Sequence, residues 1–193
     1  KFQFLILKKY PTFLFTMSLS DDEKKLVTDL IPSCDFKGVK FRDIGPLLND
    51  PKAFKLVCDK LAEHYKGKDI QAVAGLEARG FIFGPVIAQS LGVGFVPLRK
   101  PNKLPGELVS ESYEKEYGTD TIEVQKNLLK EGTNVLLVDD LLATGGTLRA
   151  ACGLMKKINC NVVSCALVVE LGFLKGKQAI LDNTDCKDVF SLL

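Results

Sequence analysis

The chain has no tryptophan, a single histidine (His64) and no CxxC pair among its six cysteines. Without paired cysteine spacing, and with His64 far from most of the thiols, no zinc site is signalled. Cys34, Cys58, Cys152, Cys160, Cys165 and Cys186 instead sit in apolar surroundings, as Cys165 does within residues 162–169. They read as reduced thiols acting as small hydrophobes, which places the protein in the cytoplasm. An excess of one charge is missing too: 26 Lys and Arg face 24 Asp and Glu, interspersed, for a net charge of +2. That balance offers no basic block for nucleic acid. A few cations focused in one cleft would still suit a small anion, because the local field matters more than the total.

Long apolar runs are absent as well. The two clusters within residues 1–16 are split by Lys8, Lys9 and Pro11, too short to span a membrane and poorly shaped for a signal peptide. The natural start is expected at Met17, with residues 1–16 a non-native or disordered extension.

With 193 residues, 46% of them hydrophobic, the chain can bury one sizeable core, so a single domain is expected over 17–193. Ser20 and Glu23 form a capping box opening a helix to about Ile31, where Pro32 stops it. Residues 51–65 carry Phe54, Val57, Cys58 and Leu61 at helical spacing. The apolar runs at 70–74, 93–98, 135–138 and 162–169 read as buried strands. Helical candidates at 81–91 and 147–158 fall between them, so strand, helix and strand alternate. The fold class is therefore α/β, a central mostly parallel sheet flanked by helices. In such sheets ligands gather at the carboxyl ends of the strands, where 75–80, 99–106 and 139–147 all fall. The polar stretch that follows shows no clear core pattern and is long enough for a mobile flap around 107–123.

The run VLLVDDLLATGGT at 135–147 joins an apolar strand, an acidic pair and a turn into a helix. Backbone N–H groups at a helix start favour phosphate. Gly145 and Gly146 let the backbone approach an anion, Ala143 leads into the turn, and the hydroxyls of Thr144 and Thr147 can donate to its oxygens. Asp139 and Asp140 would repel that anion if they faced it, so they more plausibly accept from vicinal sugar hydroxyls. Phosphate plus diol points to a ribose phosphate. A bare TGG is only a tight turn, and the Lys of a Walker loop is lacking. The longer pattern, however, is similar to the phosphoribosyl pyrophosphate signature of the type I phosphoribosyltransferases.

Three further segments, GLEARGF at 75–81, LRK at 98–100 with KLPG at 103–106, and GVKFRDI at 38–44, resemble adenine phosphoribosyltransferases. The resemblance runs from about Ser33 to near the C-terminus and implies a fold with a small hood around 33–45 over the base site. It implies transfer of the phosphoribosyl group to adenine N9, giving AMP and pyrophosphate in purine salvage. The substrates and products would be adenine, phosphoribosyl pyrophosphate, AMP and pyrophosphate. The assembly would be a homodimer, with Mg²⁺ held through substrate and water rather than by direct protein ligands. Neither nucleic acid nor membrane is an expected partner.

The resemblance also implies roles. Glu77, Ala78, Arg79 and Gly80 form the pyrophosphate loop. Arg99, Lys100 and Lys103 add cations where charge develops on the leaving group. Main-chain groups of Val39 and Arg42 read the base, and Phe41 supplies a stacking face unless it is plain core. Glu116, within SYEKEYG at 112–118, relays a proton near the base, and Tyr117 covers the pyrophosphate. Asp139 and Asp140 offer negative charge to an oxocarbenium-like sugar. Glu116, Arg79, Asp139 and Asp140 are thus the expected catalytic residues, and His64 is not among them. The chain departs from many relatives just before Gly38, where Asp35, Phe36 and Lys37 replace a longer, proline-containing stretch. Two other readings remain: transfer to another purine base, and a non-catalytic nucleotide-sensing regulator on the same fold.

Overall fold

The computed structural model describes residues 18–36, 39–114 and 118–193. The extension read at 1–16, Met17, Glu116 and Tyr117 lie outside them. Five parallel strands form the central sheet: β3 (Ala72–Leu76), β4 (Gly94–Leu98), β7 (Asn134–Leu142), β8 (Asn161–Glu170) and β9 (Val189–Ser191), in the order β4-β3-β7-β8-β9. The middle strands are apolar without alternation because helices cover both faces, and each fully buried Val or Leu side chain contributes on the order of 1.5–3 kcal/mol. Pro97, which has no N–H to give a ladder, lies on the edge strand β4.

Adjacent residues of β7 feed two different cores. Val135 and Leu137 enter one cluster, with α5 (Gly146–Lys157), α6 (Gly176–Asn183) and the Ile122–Val124 edge of a hairpin. Leu136 and Val138 enter the other, with α1 (Asp21–Asp29), α3 (Pro51–Tyr65) and α4 (Gly80–Leu91). The capping box predicted for α1 is formed: Ser20 Oγ accepts from the Glu23 amide at 3.3 Å, and Glu23 accepts from the Ser20 amide at 2.8 Å. Glu23 also meets Lys60 at 3.0 Å, docking α1 on α3 through a lysine only 7% exposed.

The hood is an antiparallel pair, β1 (Ser33–Phe36) and β2 (Val39–Arg42), followed by the short α2 (Gly45–Asn49). The stretch read as lacking a core pattern is instead a second hairpin, β5 (Leu108–Glu114) with β6 (Thr119–Gln125). Its apolar residues are few but placed on one side, where Ile122 and Val124 are buried. Two ladder bonds between Arg99 and Glu123, at 3.0 and 2.7 Å, seat the hairpin beside the sheet.

The run expected to end at Val138 continues to Leu142, so the acidic pair lies inside β7 rather than after it. Pairing with β8 carries the strand on, because Asp139 sits opposite Leu167 and Leu141 opposite Val169. The chain leaves β3 toward β4 and leaves β7 toward β8. The switch point therefore lies between β3 and β7, at whose carboxyl ends a crevice opens.

Candidate active site

A cleft of about 670 Å³ occupies that switch point. The loop after β3 contributes Glu77, Ala78 and Arg79; the end of β7 and the turn into α5 contribute Asp139 to Leu148. Phe41 and Arg42 of the hood close one side, and Lys100, Tyr113, Glu114 and Asp120 another.

The turn before α5 owes its shape to two glycines. Gly145 adopts φ 81°, which a side chain rarely tolerates, and caps α5 with no side-chain bond to the first amides. A Cβ on Gly176 would collide with the Ala143 carbonyl, so α6 presses directly on the turn. The N-terminus of α4 is likewise free of a side-chain cap, and Gly80 lies so close to the Val138 carbonyl that no Cβ fits. Two helix N-termini without side-chain caps thus bring their positive dipole ends to one cleft.

The acidic pair is divided by strand periodicity. Asp140 continues the face of Leu136 and Val138, is 2% exposed, and meets Arg79 Nε at 2.8 Å. The Arg79 guanidinium in turn lies 5.3 Å from the Phe41 ring centroid, within cation–π range. Asp139 points to the other side and accepts the Asp140 amide at 2.9 Å. Burial, and then the neighbouring Asp140 charge, hold the Asp139 carboxyl well above its ordinary value. The two acids therefore have different work: one anchors Arg79, the other borders the cleft with an oxygen to offer.

Glu77 and Arg99 also stand differently from their sequence reading. Arg99 forms a fork on Glu77, with Nε and Nη2 both at 3.1 Å, and its Nη1 donates to the Lys103 carbonyl at 3.2 Å. Glu77 further accepts the Lys100 amide at 3.0 Å. Bonding to Arg99 holds the Glu77 carboxyl below its usual range. Arg99 is thus spent in bracing the loop, and neither it nor Lys103 lines the cleft; a charge-paired guanidinium braces more readily than it captures an anion. Lys100 does line it, with Nζ 3.7 Å from Asp120.

The structure brings together Phe41, Arg42, Glu77, Ala78, Arg79, Lys100, Asp139, Asp140, Ala143, Thr144, Gly145, Gly146 and Thr147. Gly80 supports the cleft from beneath, and Val39 contributes its strand to the hood. Tyr113, Asp120, Leu171 and Leu174 line the cleft without having been expected there. Tyr113 stands in the SYEKEYG segment at 112–118, where only Glu116 and Tyr117 were given roles; nothing local marked the other three.

The family model of the phosphoribosyl transferase domain matches residues 45–193. Adenine phosphoribosyltransferase 3 of Arabidopsis thaliana is 50% identical over 157 residues, spanning 81% of this chain and 86% of that protein. Adenine phosphoribosyltransferase of Halothermothrix orenii is 48% identical over 170 residues, spanning 88% and 97%. Among solved structures, the Saccharomyces cerevisiae enzyme in complex with adenine and an imino-altritol bisphosphate superposes with a TM-score of 0.81 at 40% identity, covering 89% of this chain and 99% of that one. The chain with its switch-point cleft and paired uncapped helices belongs to the type I phosphoribosyltransferase family, among the adenine phosphoribosyltransferases.

Proposed function

We propose that the cleft joins N9 of adenine to C1 of the ribose of phosphoribosyl pyrophosphate, releasing pyrophosphate and forming AMP. The observation that carries this reading is the convergence of two uncapped helix N-termini on one acidic strand end, which gives separate seats for two phosphate groups with a sugar between them. The amides of 144–147 and the hydroxyls of Thr144 and Thr147 hold the 5-phosphate. Asp139 accepts from ribose hydroxyls and offers charge to the sugar as the C1–O bond breaks. The 77–80 loop, braced from behind by Arg99, receives the pyrophosphate with Lys100.

The base enters beneath the hood, stacked by Phe41 and read by main-chain groups of Val39 and Arg42. As N9 bonds to C1 its proton passes to Glu116, while Tyr117 shields the leaving group. Oxygen ligands suit Mg²⁺, and with Asp140 committed to Arg79 the open carboxylate is that of Asp139. Mg²⁺ would be held there through water and the substrate's own oxygens, and it supplies neutralising charge to the pyrophosphate. The working unit is a homodimer of the cytoplasm.

Purified protein with phosphoribosyl pyrophosphate, Mg²⁺ and a panel of adenine, hypoxanthine and guanine tests the reading. AMP from adenine, with little product from the 6-oxo bases, is the expected result. Absence of any nucleotide would remove the enzyme, and preference for a 6-oxo base would move the assignment to another purine. Sedimentation as a monomer at assay concentration would remove the dimer.

A further inference from the structure

On the far side of the α5 core, away from the cleft, three sulfur atoms meet. Cys152 comes from the middle of α5, Cys165 from the buried centre of β8 and Cys186 from the segment between α6 and β9. Their Sγ atoms all lie within 4.8 Å of one another, and Cys165 and Cys186 are 3.7 Å apart. All three are buried, with Cys165 at 0%, Cys186 at 5% and Cys152 at 6% exposure. No side-chain chemistry of the proposed transfer uses them.

The structure assigns to Cys152, Cys165 and Cys186 a site for one thiophilic metal ion of the zinc, cadmium and copper(I) class, bound through three sulfur ligands. The distances suit it. Metal–sulfur bonds of about 2.3 Å in a trigonal arrangement set sulfurs roughly 4.0 Å apart, close to the 3.7 Å of Cys165 and Cys186 and inside the 4.8 Å that bounds all three. A set made only of sulfur selects soft ions and rejects Mg²⁺, so this site and the cleft take different metals.

The three ligands are rigidly supplied. The Cys186 amide is bonded to Thr184 Oγ1 at 3.1 Å, and its thiol lies 3.1 Å from the Asp188 carbonyl. β8 holds Cys165 in register opposite both Leu137 and Val189. A divalent ion would bind three thiols with loss of three protons to solvent, leaving one net negative charge and no change of oxidation state. That residual charge in an apolar core demands strong metal–sulfur bonds, which the soft ions supply. The spacing gave no hint of this, because residues 13 and 21 positions apart in sequence (152 to 165, 165 to 186) match no zinc pattern.

The test is a Cd²⁺ titration of the reduced, chelator-treated chain in excess Mg²⁺. One equivalent per chain is expected, with the thiolate-to-cadmium charge-transfer absorption, proton release and displacement by Zn²⁺. Cys152→Ala, Cys165→Ala and Cys186→Ala should each weaken binding by ~100-fold or more, while Cys34→Ala and Cys58→Ala leave it unchanged. Should an alanine variant fail to fold, alkylation of the unaltered chain in mild denaturant decides: Cd²⁺ should protect Cys152, Cys165 and Cys186 together and leave Cys34 reactive. Titration without binding, binding that survives the three substitutions, or equal alkylation with and without Cd²⁺ would each overturn the site.

Discussion

The Nε of Arg79 stands 2.8 Å from a carboxylate oxygen of Asp140, a residue with 2% of its surface exposed. A buried carboxylate whose partner is removed costs far more than the pair is worth, because the charge is left without water or counterion. Arg79→Ala is therefore expected to destabilise the protein by roughly 1–3 kcal/mol, toned down from a fully buried pair because Arg79 keeps solvent on one side. Adding Asp140→Asn should restore much of the stability and none of the turnover. Thermal unfolding of the two single variants and the double variant gives the coupling; additive losses would show that the pair does not act as a unit.

Asp139 makes the opposite case. Its folded-state pKa is raised, first by burial and then by Asp140, so the folded chain holds a proton more tightly than the unfolded chain does. Its effect on stability is unfavourable above the unfolded value and sets in as pH rises through the interval between the two. Asp139→Asn should stabilise the fold at neutral pH by about 1 kcal/mol and lower turnover by ~10²-fold or more. A rise in melting temperature together with full activity would separate this carboxylate from the chemistry.

Arg99 touches the loop rather than the cleft. Arg99→Ala frees Glu77 from its fork and releases the Lys103 carbonyl, so the loop loses its brace. The expected result is a KM for phosphoribosyl pyrophosphate raised by ~10-fold with the KM for adenine little changed. An equal rise in both would show a general loss of structure instead.

Gly176 lies outside every motif, yet no Cβ fits between it and the Ala143 carbonyl. The obstacle is backbone, which cannot swing aside as a side chain would. Gly176→Ala should cost about 1–3 kcal/mol and weaken phosphoribosyl pyrophosphate binding through the displaced turn. Unchanged stability and unchanged KM would mean that α6 adjusts freely.

His64 stacks on Phe190 with ring centroids 3.6 Å apart and lies 2.9 Å from Lys68 Nζ. Burial, followed by the Lys68 charge, holds its pKa below the ordinary value. The unfolded chain then takes up a proton near pH ~6.5 that the folded chain refuses. Stability is complete above that point and falls as pH drops toward the folded-state pKa. His64→Phe should flatten the acid side of the melting-temperature profile, and an unaltered slope would assign it to other groups.

The sheet was readable in sequence because its strands are apolar without interruption and its helices are spaced between them. α3 was legible to the residue, since Asp50 caps it, Pro51 opens it and Lys66 with Gly67 follows Tyr65. β5 and β6 were not, because a hairpin covered on one side by only Ile122 and Val124 leaves a pattern that polar residues swamp. The strand β9 and helix α6 went unread for a related reason: three residues and eight residues are too short for periodicity to speak. Asp139, Asp140 and residues 143–147 stood in one motif and line the cleft together. Residues that depended on distant chain meeting it, such as Asp120 and Leu174, stood in none. The fork of Arg99 on Glu77 was not legible, because charge type says what a residue can bind and not what already binds it.

The division of labour between Asp139 and Asp140 rests on counting. One residue inserted or deleted in β7 ahead of them would exchange their faces, sending the cleft carboxylate toward Arg79 and the anchoring one away, with composition barely altered. Length variation across related genes should therefore collect at chain ends and hairpin tips, while the interval from Asn134 to Asp140 keeps its length even where its apolar residues interchange freely.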